Sequence, residues 1–358
     1  MQPNPFESKR RERRERLRAT AISFTHLENV TAVVEAARTL LKLGFLELPL
    51  PARGNTRERF DALAEIAAHN LSLARIVEGH TDARAILAEA SVSALPGIYG
   101  VWAAEGGERV EAIGSSHGWT LRGAKLYASG AGEIDRALIT ARAEDGVRLF
   151  DIDLRDQTVK VVPDTWNAVG MSATGSMEIH LEDVLVSSSN ASTNRPVGEA
   201  DFYLSRKGFW HGSVGVAACW AGGAFGAARV LRSRASNREL SPHQFAHLGA
   251  VVASCEMMQT MLDRAADEID ATQHTSTDAE GRFRALVVRQ LVEQGCQEIL
   301  TRVGRATGSS ALVFDRAHAM RAADLVVYLR QHHAETDLVE LAKASLSEQH
   351  SAVHQGRT

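Results

Sequence analysis

The sequence predicts an α+β protein whose elements are segregated along the chain: helices, then an antiparallel sheet, then helices again. Apolar residues recur with helical spacing in "VTAVVEAARTLLKLGF" and in "ERFDALAEIAAHNLSLARIVEGHTDARAILAEA". From Pro96 onward, short β-type runs are set off by Gly and Asp and end with "MEIHLEDVLV". Beyond about residue 200 the helical pattern returns and persists. Strands never alternate one by one with helices, so a parallel β-α-β sheet is not expected. No Gly-x-Gly-x-x-Gly follows a strand, which removes support for a Rossmann nucleotide site.

Residues 1–24 form a charged arm containing "SKRRERRERLR". Its acids are interleaved and no apolar core follows, so a solvated helix start or tail is expected, not a secretory or transit peptide. Residues 25–95 form an N-terminal helical domain, broken between its helical stretches by Pro49, Pro51 and Gly54. Residues 96–192 form the middle β domain, with strands in "RVEAIGSSHGWTLRGAKLYAS", "DRALITAR", "VRLFDIDL", "TVKVVP" and the closing run. In that run Met177, Ile179 and Leu181 share one face, and Glu178, His180 and Glu182 the other. Residues 193–346 form a C-terminal helical domain, and 347–358 a polar tail whose composition predicts no fixed structure.

At 44% apolar and 23% charged residues, the chain can bury a sizeable core. A net charge of −4 gives no reason to expect nucleic acid or an anionic membrane as partner. The most apolar stretch, "GSVGVAACWAGGAFGAARVL", is rich in small residues that suit close helix packing better than a bilayer. Cys219, Cys255 and Cys296 stand singly in apolar or helical surroundings. They read as small core residues of a reducing, cytoplasmic compartment, not as a disulfide or metal framework.

The stretch "WNAVGMSATGSMEIHLEDVLV", residues 166–186, poses a question of its own. Gly170 and Gly175 give up packing for backbone freedom, so either the turn is unusual or something approaches the backbone closely. Its Trp-x-x-x-Gly-Met-x-x-Thr-Gly-Ser spacing is joined by "YGVWAAEGG", by "GWTLRGAKLYASGAGEIDRALITAR" and by "RAHAMRAADLVVYLRQHHAETDL". Together these stretches resemble the acyl-CoA dehydrogenase superfamily of FAD flavoproteins, over roughly residues 30–345.

The resemblance implies that residues 193–346 form a four-helix bundle and that the Gly-rich turn packs below the flavin ring. It implies that Trp102, Ala103 and Ala104 lie along the flavin edge with Ser129 and Ala131, and that Trp166, Thr174 and Ser176 lie near the ring. For the FAD pyrophosphate the family uses Arg-x-x-Phe-Gly followed by Gln. Here Arg234 stands for the Arg, Asn237 and Arg238 occupy the Phe-Gly positions, and Gln244 lies near the Gln position. A later Gln-x-x-Gly-Gly run appears as "RATGSS", with Arg305 for the Gln and Gly308 kept. Arginine contacts phosphates bidentately, so an altered site is one reading; solvent-exposed helix arginines are the other.

The base position departs furthest from the family. Where Tyr-Glu-Gly is usual, this chain has "LRQHHAETDLVELAK": Glu335 is displaced into the helix and no Gly follows. Some relatives carry the Glu on the first long C-terminal helix, and here that helix has no Asp or Glu. His332 and His333 occupy the segment, between Gln331 and the acids Glu335 and Asp337. A histidine titrates near neutrality and serves as acid or base when a carboxylate orients it; otherwise the pair caps or packs. His211 is a weaker second candidate, and the pair lacks zinc-ligand spacing, so no metal is expected.

Three functions are carried forward. The first is FAD-dependent α,β-dehydrogenation of an acyl-thioester or related substrate, with Glu335 or His333 taking the α-proton as hydride moves to the flavin. The alternative is a flavin-dependent monooxygenase of the same fold using His332 or His333. The third is a non-catalytic binding or scaffold homologue. The expected partners are a small-molecule substrate, an electron-transfer partner or flavin reductase, and further copies of the chain in a homodimer or homotetramer, with no nucleic acid or membrane.

Overall fold

The computed structural model describes residues 5–104, 109–189, 192–237, 239–272 and 278–355, with side chains between 11 and 346. It divides into two compact units. The helical unit comprises Met1–Ile22, Pro49–Leu71 and Trp210–Thr358; the sheet unit comprises Ser23–Leu48 and Ser72–Phe209. The chain opens with helices α1 (Pro5–Ile22), α2 (Val30–Lys42), α3 (Thr56–Ala67) and α4 (Leu71–Glu89). Strands follow as β1 (Tyr99–Trp102), β2 (Glu111–Ser115), β3 (Gly118–Ala128), β4 (Arg136–Ala143), β5 (Gly146–Asp153), β6 (Val159–Val162), β7 (Met177–Ser187) and β8 (Arg195–Val197). The chain closes with α5 (Phe202–Ser205), α6 (Gly208–Asn237), α7 (Pro242–Ala271) and α8 (Asp278–Thr307), then α9 (Ser310–Phe314), α10 (Arg316–Tyr328) and α11 (Glu335–Gln355). Helix α11 runs through most of the segment read as a polar tail.

In the sheet unit the strand order is β6-β7-β3-β2-β4-β5-β8, with β1 beside β4. The sheet is mixed where an antiparallel one is expected. β1 runs parallel to β4, Tyr99 opposite Arg136 and Trp102 opposite Ile139, because the β2–β3 hairpin lies between them in sequence and returns the chain in the same direction. Along β7 the expected alternation holds through Leu181 and then slips by one residue, so that Val184 and Val186 are the buried ones. Asp183 is the extra residue of a bulge in β7, with φ 60°, and Arg122 of the partner strand β3 grips its carboxylate at 2.6 and 2.9 Å. The core forms where Ala83, Ile86 and Leu87 of α4 meet Tyr99, Leu138, Leu149 and Val197.

Within the same unit Asp151 is fully buried and saturated with donors. It accepts from Arg136 Nε at 2.8 Å, Arg195 Nη2 at 2.9 Å and the Tyr99 hydroxyl at 3.3 Å. Arg136 and Arg195 also donate to Thr193 O and Ser93 O, so one carboxylate ties β4, β5, β8 and β1 together.

In the helical unit the long periodic stretch after Asn55 is not one helix: α3 ends at Ala67 and α4 begins at Leu71. α3 is buried on every side from Arg59 to Ala67. Its N-terminus is held by Asp270 of α7, which accepts from Gly54 N, Thr56 N and Thr56 Oγ1 at 3.0, 2.9 and 2.6 Å. A carboxylate there satisfies orphan amides and suits the positive end of the helix dipole. The charged arm is a docked helix: Leu17 and Ala21 of α1 are buried, Arg13 reaches Glu58 at 2.9 Å and Arg18 reaches Glu65 at 3.1 Å.

Helix α6 lies backbone to backbone against α3. A Cβ built on Gly222 would fall 2.2 Å from Ala64 O, and one on Gly226 would fall 2.3 Å from Ala68 O. Among the described residues α6 is the helix long and apolar enough to cross a membrane by length and composition, and 78% of its apolar window is buried within the fold. Its glycines serve that packing. Gly222→Val is therefore expected to cost roughly 3 kcal/mol or more, since a rigid carbonyl cannot yield as a side chain can. Denaturant unfolding checks this, and a variant within about 0.5 kcal/mol of the parent would contradict it.

Candidate functional site

The sheet unit answers the question posed by the Gly-rich stretch. Met171 and Gly175 both adopt left-handed conformations, at φ 58° and 50°, and flank a single 3-10 turn, Ser172–Thr174. The turn presents Met171 O as a common acceptor: Trp166 Nε1 donates to it at 2.9 Å, Thr174 Oγ1 at 2.7 Å and Thr174 N at 3.1 Å. What approaches Gly175 is Val30 at the start of α2, 3.0 Å from where a Cβ would stand. At Gly175 itself the close approach is thus made by the protein.

Thr174, Ser176 and Ser129 form a buried hydroxyl chain, with Thr174 Oγ1 2.8 Å from Ser176 Oγ and Ser176 Oγ 2.9 Å from Ser129 Oγ. The direction of its protons follows by counting. Thr174 spends its single proton on Met171 O, so Ser176 must donate to Thr174 and Ser129 to Ser176. The chain offers lone pairs to a ligand, not protons. Trp102 is buried, and its indole donates to Ser129 O at 3.2 Å, which brings those residues together. The amides of Ser129 and Ala131 are already bonded to Tyr127 O and Ala128 O. Ala103 and Ala104 follow the end of β1, the first half-buried and the second exposed.

In the helical unit, Arg234 and Gln244 lie beside one cavity. With Ser233, Asn237, Ala306, Thr307 and Ser310 they line a cavity of about 530 Å³. Arg234 Nη1 donates to Thr307 O at 3.3 Å and Nη2 to Ser310 Oγ at 2.6 Å; Gln244 Nε2 donates to Ala306 O at 2.9 Å. No carboxylate is among the lining residues described, and although Thr307 and Ser310 spend their hydroxyl protons on Val303 O and Thr307 O, the Arg234 guanidinium, the side-chain amides of Asn237 and Gln244 and the Ser233 hydroxyl form a set that fits an oxyanion such as a phosphate. Arg305 is exposed on α8, and Gly308 is exposed in a left-handed turn at φ 60° with open space around it. Arg238 lies outside the described residues.

The histidine pair is split by the backbone. After the 3-10 turn Leu329–Gln331 the chain is extended at His332, so neighbouring side chains point apart. His332 is 5% exposed, whereas the His333 side chain is 72% exposed. His332 Nδ1 accepts from Ala334 N at 3.2 Å, and Ala334 holds a left-handed φ of 46°. A ring nitrogen that accepts carries no proton, so the neutral imidazole bears its hydrogen on Nε2. Nε2 is buried without a hydrogen bond, and Asp337 Oδ2 stands 3.8 Å away. Trp220 meets the ring edge-on, its centroid 6.3 Å distant. His333 turns outward, with Nδ1 3.5 Å from Asp337 Oδ1. Glu335 is the exposed first residue of α11, and His211 is half-buried near the start of α6.

Burial pushes the His332 pKa below the ordinary imidazole value; Asp337 opposes this and Arg289 reinforces it. His318, buried on α10, is likewise lowered, first by burial and then by Arg321. Both rings are neutral in the fold, while the unfolded chain takes up protons near pH ~6.5. Their contribution is fully present above that pH and is lost as pH falls through the lowered values. The thermal midpoint is therefore expected to drop between about pH 7 and 5, with a shallower slope in His318→Leu. An unchanged slope in that variant would contradict the assignment.

Sequence reasoning did not find Arg289 or Trp220, which pack beside His332. A signal for Arg289 was present: it interrupts the buried stripe of Ala285, Val288, Val292 and Cys296 on α8. Among the described residues no group of three or more His, Cys, Asp or Glu is placed to hold a metal.

No family model and no curated protein sequence matches the chain. Solved structures do. It is similar to the FMN-bound dibenzothiophene monooxygenase TdsC from Paenibacillus sp. A11-2, at 15% identity over 94% of this chain and 96% of that one, with a TM-score of 0.77. It is similar to the methanesulfinate monooxygenase MsuC from Pseudomonas fluorescens at 17% identity, 97% and 98% coverage and a TM-score of 0.74. XiaF from Streptomyces sp., solved with FADH2 and glycerol, matches at 16% identity, 96% and 98% coverage and a TM-score of 0.72. The chain has the acyl-CoA dehydrogenase fold, as its motifs led one to expect.

Proposed function

We propose that this protein is a flavin-dependent monooxygenase that takes reduced flavin from a separate reductase and oxygenates a small organic substrate. The observation that carries this reading is the contrast between His332 and Glu335. The expected carboxylate base is exposed at the start of α11, whereas His332 is buried, held in one tautomer, and has its Nε2 proton unspent. The naming of the similar structures TdsC and MsuC as monooxygenases supports it further.

A flavin held here would supply the redox chemistry, reduced flavin being the form that reacts with oxygen. The chain's own residues bind, orient and move protons. Arg234 and Gln244, with the Ser233 hydroxyl, would hold the phosphate part of the cofactor, for which FAD is the first candidate and FMN the second. The Ser129–Ser176–Thr174 chain accepts hydrogen bonds, and Trp102 fixes it through Ser129 O. His332, neutral with Nδ1 committed to Ala334 N, would direct its Nε2–H as a hydrogen-bond donor at a reacting oxygen while keeping the proton on the ring. Asp337, shared with His333, favours the charged form when the ring must hold a second proton.

The reading is tested by supplying a flavin reductase, reduced nicotinamide and a panel of aromatic and sulfur-containing substrates, and following oxygenated product. Acyl-thioester dehydrogenation makes the opposite prediction: oxidised FAD on the protein is bleached anaerobically by an acyl-CoA. That bleaching would overturn the proposal. A protein that binds no flavin in either redox state would leave the scaffold reading instead.

A further inference from the structure

We propose that Arg289 is the positioning residue for His332, an inference that rests on the role just given to that histidine. Arg289 is buried on α8 with Val288 and Val292 as close apolar neighbours in sequence. Its guanidinium lies over the Trp220 ring, 4.6 Å from the centroid. Nη2 donates to Gln331 O at 2.6 Å, and Nη1 to Ser213 O at 3.4 Å. Gln331 closes the 3-10 turn that leads directly into His332. One side chain therefore joins α6, α8 and the turn that carries the imidazole. Trp220 completes the arrangement, since the ring that Arg289 covers also meets His332 and Tyr328 edge-on.

The chemistry requires arginine. A planar guanidinium lies flat on an indole while its Nη groups point in separate directions to two carbonyls. A lysine ammonium is a point charge that cannot hold all three contacts at once. Fixing Gln331 O fixes where His332 leaves the turn, and so keeps Nδ1 on the Ala334 amide and Nε2 as the protonated nitrogen.

The charged surroundings of His332 are mixed. Asp337 on α11 faces it at 3.8 Å, and His333 adjoins it on the turn. From α8 come Arg289 and Glu293, the latter paired with Arg330 at 3.4 Å. The acids favour a charged imidazole, whereas burial, Arg289 and His333 favour a neutral one. Burial is the main reason the ring is neutral, and Arg289 adds to it while fixing the direction of the ring.

The experiment is nitrogen-detected NMR of the full-length protein with labelled histidine, titrated with pH, the His332 signals being assigned by their loss in His332→Asn. Arg289→Met removes charge and donors; Arg289→Lys keeps the charge and removes the fork. In the parent, His332 is expected to titrate below an ordinary histidine as the Nε2–H tautomer. Arg289→Met is expected to raise the midpoint and mix the tautomers. Arg289→Lys is expected to mix the tautomers with little change of midpoint, and it carries the test if the methionine variant does not fold. A folded variant of either kind with the parent's tautomer would overturn the inference, as would a folded methionine variant with the parent's midpoint. The spectrum reads the resting protein without flavin or substrate. Failure of the proposed function would appear separately, as a His332 variant with full turnover.

Discussion

Under the proposed function, His332→Ala is expected to lower turnover by about 100-fold or more, the range lost with one preorganised hydrogen-bond donor. The cause is specific. His332 brings a buried proton on Nε2, held in place because Nδ1 is committed to Ala334 N. Alanine removes the proton without touching the cavity around Arg234, so affinity for reduced flavin is retained. His333→Ala is the control: its ring is exposed, and turnover is expected within about twofold of the parent. Product formation with the reductase system, at matched flavin occupancy, checks both. A His332→Ala enzyme with parental turnover, or a His333→Ala enzyme that is the impaired one, would reverse the assignment.

The largest loss of stability is expected at Asp151. Removing this carboxylate strands Arg136 and Arg195, both buried, and takes the acceptor from the Tyr99 hydroxyl. Breaking a buried pair from one side typically costs about 3–5 kcal/mol, because the remaining charge is left uncompensated. Asp151→Ala should therefore unfold at much lower denaturant than the parent, with the sheet unit affected first. Asp151→Asn, which keeps an acceptor oxygen but no charge, should fall between. Denaturant unfolding followed by the signals of Trp102 and Trp119 would show it. A parental midpoint for Asp151→Ala would mean that the network is not what joins these strands.

Much of this molecule was readable before folding, and the exceptions have identifiable causes. Strand β7 follows its alternation as far as Leu181, where Asp183 inserts an extra residue. Asp takes a left-handed conformation at modest cost, so nothing like a glycine marked the bulge. β8 escaped because its residues, Arg195–Val197, are too few to display a period. The Trp-Gly-Met-Thr-Gly-Ser spacing announced a special turn correctly, but a local pattern cannot name a neighbour distant in sequence, and Val30 is that neighbour. The glycines of α6 were legible as close-packing residues, and α3 is the helix they admit.

The candidate site was legible only in part. The motif carried His332 and His333 together, since adjacent residues share every sequence signal. Which one is buried depends on the 3-10 turn before them and the left-handed Ala334 after them. Neither feature has a marker residue. Arg234 and Gln244 line one cavity, although Asn237 and Arg238 stand where the family has Phe-Gly between them.

The decisive measurement is an anaerobic titration of the purified protein with reduced flavin, as FADH2 and as FMNH2, set beside the same titration with the oxidised forms. A monooxygenase fed by a separate reductase must capture the reduced cofactor, so saturable binding of a reduced form, tighter than its oxidised counterpart and weakened in Arg234→Ala, is predicted. Oxidised flavin held more tightly than reduced, or no saturable binding of either, would contradict the account.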